Sequence, residues 1–201
     1  MKIIPLLFFA LFSNMCFSQV LVKSEHSVKK GMAESNQFPK TCTDECSFLL
    51  YLDVAKLHFD EEFASGAYIL VFNTVEGKSI SFGVQANVET QEAELVVLHN
   101  DENTNPEPIL LAKSALNTWE GFNISWEGKN LLFENLRSVK KIGYNSTPYS
   151  SLESSGITYE TELDFVPEGF GYMFMSSDVE LWIDIESQNY NEEWRPVDNG
   201  N

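Results

Sequence analysis

The stretch Val179-Glu180-Leu181-Trp182-Ile183-Asp184-Ile185-Glu186 alternates without a break. Val179, Leu181, Ile183 and Ile185 share one parity, and Glu180, Trp182, Asp184 and Glu186 share the other. Successive side chains of a strand point to opposite faces, so this segment reads as a strand with one aliphatic face to bury and one polar face to show.

The same period of two recurs upstream. Phe122, Ile124 and Trp126 alternate with Asn123 and Ser125, and Tyr159, Leu163 and Phe165 alternate with Glu160, Glu162 and Asp164. Further β-prone runs are Phe48–Val54, Ala67–Asn73, Ser79–Val88, Glu94–His99, Leu131–Glu134 and Phe170–Met175. Val75-Glu76-Gly77-Lys78 and Glu127-Gly128-Lys129-Asn130 each join two such runs and each offers a glycine for a hairpin turn, and Ser176-Ser177-Asp178 makes a third tight connection. No helical pattern of ten or more residues separates the runs. The expected fold is all-β: an antiparallel two-sheet sandwich, jelly-roll-like, of about nine or ten short strands.

The ends set the compartment. Met1-Lys2 gives a positive start, Ile3 to Phe12 is apolar, and Cys16-Phe17-Ser18 supplies small residues where a signal peptidase reads, so residues 1–18 are expected to be a signal peptide cleaved before Gln19. A lipoprotein anchor on Cys16 would want a small residue before it, and Met15 stands there. The apolar run falls short of the ~20 residues that a membrane-spanning helix needs. Residues 19–41 read as a polar N-terminal segment, 42–186 as the β-domain, and 187–201 as a polar C-terminal tail.

The formal net charge is −17, and cleavage would remove Lys2 and no acid. A generic nucleic-acid or anionic-membrane binder is excluded on that ground, because both need clustered Lys and Arg against phosphates. Cys42 and Cys46 would remain after cleavage and are expected to form a disulfide around a short loop, contributing at most about 2 kcal/mol. A metal-binding cysteine pair would want further ligands, and His26, His58 and His99 are not at zinc-site spacing. No metal and no cofactor is expected. Asn123-Ile124-Ser125 and Asn145-Ser146-Thr147 are N-glycosylation sequons. On the strand reading, Asn123 and Ser125 face away from the side that buries Phe122, Ile124 and Trp126, so a glycan there would reach solvent.

Catalytic patterns are thin. Gly169-Phe170-Gly171 opens a strand, not a helix, so it is no phosphate cradle. Asp101, Asn103 and Asn105 imitate a calcium loop, but Pro106 stands where its sharp-turn glycine belongs and Ala112 where its bidentate Glu belongs. Glu162, Asp164 and Glu168 are similar to the E-x-D-x-x-E strand of the laminarinase-type glycoside hydrolases, with the last acid one position late and Pro167 in between. The candidate ligand-binding residues are Glu180, Trp182, Asp184 and Glu186. Acids beside an indole on one strand face suit a sugar, whose ring stacks on the indole while its hydroxyls reach the carboxylates. The same row also suits a solvated edge strand, whose charges prevent edge-to-edge pairing.

From about Ala67 to Ile185 the order of features resembles the farnesoic acid O-methyltransferase-like domain of arthropod proteins. The features are a strand Ala67–Phe72, a pair near Ile80–His99, Pro108-Ile109-Leu110, then Trp119–Trp126 with its Glu-Gly hairpin, and a closing pair Phe170–Met175 and Val179–Ile185. Gly83-Val84-Gln85-Ala86-Asn87 stands nearest the family's G-G-W-x-N segment. The resemblance implies a β-sandwich recognition module. A methyl-donor site of the usual kind would need a glycine-rich strand-to-helix turn in a parallel sheet, which this chain lacks. Three function classes follow: a secreted binding module for an extracellular glycan or protein, a small glycoside hydrolase using paired carboxylates, and a barrel carrier with a hollow apolar interior.

Overall fold

A computed structural model describes residues 21–41, 45–100, 107–138 and 152–184. Twelve strands are present among them: β1 Leu21–Ser27, β2 Ala33–Thr41, β3 Glu45–Leu57, β4 Gly66–Asn73, β5 Lys78–Asn87, β6 Glu92–Asn100, β7 Ile109–Ser114, β8 Trp119–Glu127, β9 Asn130–Ser138, β10 Leu152–Glu162, β11 Gly169–Met175 and β12 Ser177–Asp184. They form two six-stranded sheets, sheet I in the order β1-β12-β3-β8-β9-β10 and sheet II in the order β2-β11-β4-β5-β6-β7. All neighbouring strands pair antiparallel.

The two sheets meet because each has one apolar face. Sheet I contributes Phe48, Leu50, Leu52, Phe122, Ile124, Phe133, Leu181 and Ile183, and sheet II contributes Ile69, Val71, Ile80, Phe82, Leu95, Phe170 and Phe174, all at most 1 % exposed. Rings from opposite sheets stack, Phe48 on Phe170 at 4.0 Å and Phe82 on Phe133 at 4.5 Å. These stacks fill the space between two open sheets, which leaves the carrier alternative neither a closed barrel nor a hollow there.

The hairpin glycines behave as their turns require, with Gly77 at φ 66° and Gly128 at φ 57°. The step from β11 in sheet II to β12 in sheet I rests instead on Ser176, a non-glycine residue at φ 44°. That corner is tied on several sides. Ser176 N–H donates to Met32 O at 3.1 Å, Gly31 N–H donates to Ser176 Oγ at 3.0 Å, and Ser65 Oγ donates to Ser176 O at 2.7 Å. Such bonding holds a backbone conformation that L-residues otherwise avoid.

Three departures from expectation have physical causes. The strand count is twelve, not nine or ten, because the supposed tail 19–41 supplies β1 and β2, and Ile109–Ser114 supplies β7. The sandwich therefore starts by Leu21, not at Cys42. These three are edge strands, and an edge strand buries too few apolar side chains to show a hydrophobic period. Third, β10 ends at Glu162, and the apolar residues expected to extend it, Leu163 and Phe165, are buried beyond the strand end.

Candidate functional site

β12 buries Val179, Leu181 and Ile183, so Glu180 and Trp182 project from the outer face of sheet I. The register of sheet I then fixes their neighbours. Glu180 lies between Glu25 of β1 and Asp53 of β3, and Asp53 is followed by Trp119 of β8. Trp182 lies between Lys23 and Tyr51, and Tyr51 is followed by Gly121. Two adjacent rows thus gather three aromatic side chains, three carboxylates and one ammonium on a face that the core does not use.

The rings meet across β3. Trp119 and Trp182 come from the strands on either side of it, and their centroids lie 6.0 Å apart with planes at 86°. Strands two places apart in a sheet are ~10 Å apart, a gap that two indoles span. Gly121, having no side chain, leaves room beside Tyr51, which is 1 % exposed although it points out of the sandwich. Trp182 is half-buried by the same packing, not freely exposed.

Charged groups surround this corner. Trp182 Nε1–H donates to Glu180 Oε1 at 2.5 Å. Lys23 Nζ lies 3.1 Å from Glu180 Oε2 and 2.8 Å from Glu25 Oε1, and it sits 5.8 Å from the Trp182 ring centroid. Those two carboxylates, Glu25 first, hold the Lys23 ammonium above the usual lysine range. Asp53 differs. Its Oδ1 is buried with no hydrogen-bond partner among the described residues, and burial, with the Glu180 charge second, raises its carboxyl above the usual carboxylate range.

The same outer face is hollowed farther along β3, β8, β9 and β10. The hollow has a volume of about 660 Å³, and Glu45, Ser47, Ser125, Glu127, Glu160 and Glu162 line it. Asn123 stands on this face between corner and hollow, half-buried, and donates from Nδ2 to Glu134 Oε2 at 2.7 Å.

Of the four residues expected at a ligand site, the structure therefore places Glu180 and Trp182 together. The backbone of Asp184 pairs with Leu21, and Glu186 lies outside the described residues. Cys42 and Asn145 lie outside them too, while Cys46 is buried at the start of β3. The acids of the laminarinase-like segment do not gather on one face. Glu162 lines the hollow, Asp164 pairs with Lys78 at 2.6 Å, and Glu168 accepts from the hydroxyl and amide of Thr74. No group of three or more His, Cys, Asp or Glu among the described residues is arranged to hold a metal ion, and no helix among them is long and apolar enough to cross a membrane.

Sequence reasoning missed Tyr51, Asp53 and Trp119. The first two had a signal: Leu50, Leu52 and Val54 face the core, so Tyr51 and Asp53 have the outward parity. It also missed a Ser24–His26–Glu34 line, in which His26 Nε2 lies 2.9 Å from Ser24 Oγ and Nδ1 lies 2.8 Å from Glu34 Oε1. The His26 ring packs on Tyr172 at 5.0 Å and Phe174 at 4.9 Å, and the Tyr172 hydroxyl donates to the same Glu34. That packing makes the line a closure of the sandwich edge between β1 and β2.

No family model matches the chain, and no curated protein sequence matches it significantly. Solved structures similar to it include a functionally unknown protein from Saccharomyces cerevisiae, with a TM-score of 0.47, 9 % identity, and coverage of 82 % of this chain and 84 % of that one. A glycosyl hydrolase family protein from Mycobacterium fortuitum has a TM-score of 0.43 and 8 % identity, covering 82 % and 74 %. A pseudo beta-1,3-glucanase of Mycobacterium tuberculosis has a TM-score of 0.44 and 8 % identity, covering 84 % and 74 %. At such scores and identities the likeness assigns no ligand and no reaction to this chain.

Proposed function

We propose that the chain is a secreted binding module and that the outer face of sheet I is its glycan-binding surface. The observation that carries this reading is the meeting of Trp119 and Trp182 over β3, on the side of the sheet that the hydrophobic core leaves unused. A sandwich gains its core from one face of each sheet, so a second cluster of large rings on the opposite face asks for another purpose. The half-buried Trp182 indole, backed edge-on by the buried Trp119 and flanked by Glu180, Asp53 and Lys23, supplies stacking for a sugar ring and charged partners for its hydroxyls. The hollow bounded by Glu45 and Glu162 extends the same surface by ~20 Å along the strands, taking 3.4 Å per residue. The resemblance to the farnesoic acid O-methyltransferase-like domain implies the same class of module.

A glycan array probed with the parent and with Trp182→Ala tests the reading. Binding by the parent and its loss in a folded variant is the expected result; a folded variant that binds as the parent does would overturn it.

Processing belongs to the same proposal: cleavage before Gln19, a Cys42–Cys46 disulfide, and a glycan on Asn123. A glycan at Asn123 would stand on this face between the aromatic corner and the hollow. Intact mass before and after reduction and glycosidase digestion reads all three. Two thiols alkylated without reduction would exclude the bridge, and a mass unmoved by glycosidase would exclude the glycan.

A further inference from the structure

The aromatic corner already holds a cation. Lys23 Nζ, carried by the edge strand β1, sits over the Trp182 ring at 5.8 Å and beside Glu180 at 3.1 Å. An ammonium attracted both by an indole quadrupole and by a carboxylate is the arrangement that aromatic cages use for organic cations. Here the half-buried Trp182 indole is the wall of such a site, the buried Trp119 supports it at 86°, and the buried Tyr51 lies opposite Trp182 in the same register row. Asp53 adds a second carboxyl whose buried Oδ1 has no partner among the described residues.

We propose that this corner is a binding site for an organic ammonium group, occupied in the free protein by the Lys23 ammonium and taken over by the free amine of a ligand. The inference rests on the glycan-binding reading and narrows it: the ligand is a sugar chain that carries unsubstituted amines. Three observations converge on this chemistry. Lys23 is the cheapest occupant to displace, because its side chain is 40 % exposed and keeps Glu25 as a partner at 2.8 Å when it leaves Glu180. Burial first, and the Glu180 charge second, raise Asp53; the groups beside it across the register rows are Glu180 and Trp182 of β12, Trp119 and Gly121 of β8, and, one strand farther, Lys23 and Glu25 of β1. A ligand cation seated between the two carboxylates would relieve their repulsion and let Asp53 ionise. The chain's net charge of −17 also favours the approach of a cationic ligand and opposes that of an anionic one.

The test uses the full mature chain and two probes of equal length, a glucosamine oligomer with free amines and the N-acetylglucosamine oligomer in which each amine is a neutral acetamide, titrated calorimetrically. The free-amine oligomer should bind at least tenfold more tightly. Glu180→Gln and Asp53→Asn should each remove most of that advantage, and Lys23→Ala should raise affinity for the free-amine probe severalfold, because a resident competitor is gone. A Lys23 that merely decorates the surface predicts no change, and one that contacts ligand predicts a loss; either result overturns the proposal. Equal binding of the two oligomers overturns the cation site and leaves the glycan-binding surface standing. Failure to bind either oligomer, together with a silent glycan array, overturns both.

Discussion

The two faces of sheet I are built from the same strands and do opposite things. Along β3, Phe48, Leu50, Leu52 and Val54 go inward, where they are at most 3 % exposed and packed against sheet II. Tyr51 and Asp53, one residue out of phase, go outward beneath a pair of indoles. Both faces bury rings, but only the inner one is covered by a second sheet. The outer face buries Tyr51 with side chains alone, and it leaves Asp53 Oδ1 unpartnered among the described residues, as Trp126 Nε1 and Asn135 Oδ1 are on the inner side. Burial by itself therefore does not separate core from site here. What separates them is the company the rings keep: mostly aliphatic and aromatic inside, where the Glu120–Arg137 pair and Asn135 sit toward one end, and carboxylates with an ammonium beside the indoles outside.

Truncating one ring on each face gives the largest contrast. Phe122→Ala, on the inner face of β8, should cost about 3–5 kcal/mol of stability, as large-to-small core changes do. Trp182→Ala, half-buried on the outer face, should cost about 1–2 kcal/mol, the size of a lost aromatic pair and partial burial. Chemical denaturation of the two variants measures both. If Trp182→Ala costs as much as Phe122→Ala, the outer cluster is a second core and the comparison breaks.

A smaller effect comes from Asp53. Because its folded-state pKa is raised, the unfolded chain gives up that proton at a lower pH than the folded chain does. Between the ordinary carboxylate value and the raised one, the folded state holds more protons, so stability falls as pH rises through that window. Asp53→Asn removes this fall. The stability of the variant relative to the parent should increase across the window and then level off, as read by melting temperature against pH. Parallel curves would mean that Asp53 ionises as freely in the folded protein as in the unfolded one.

The sandwich was legible because β8 and β12 alternate with a period of two, and Val179–Ile183 and Phe122–Trp126 show which parity must be buried, while β4 and β5 show continuous β-prone runs. β1 and β2 were not legible. β1 has Ser24 and His26 on its inward parity and Val28 just past its end, so that polar partners replace the apolar signal. Half of the candidate site could be read from β12 alone, since Glu180 and Trp182 follow from alternation. The outward parity of Asp53 was legible, but its place beside Glu180, like those of Lys23 and Trp119, comes from pairing of strands distant in sequence, and a register is invisible until turns and partners are known.

The most direct measurement follows the indole Nε1–H signals of the isotope-labelled protein while the best glycan from the array is titrated in. Trp119 and Trp182 lie on the outer face of sheet I, whereas Trp126 is 2 % exposed and packs inward, edge-on to Phe48 at 6.0 Å. The Trp119 and Trp182 signals should shift with saturating ligand, and by more than the signal of Trp126, which lines the hollow and not the aromatic corner. Saturable binding that leaves Trp119 and Trp182 unmoved would contradict the glycan-binding reading.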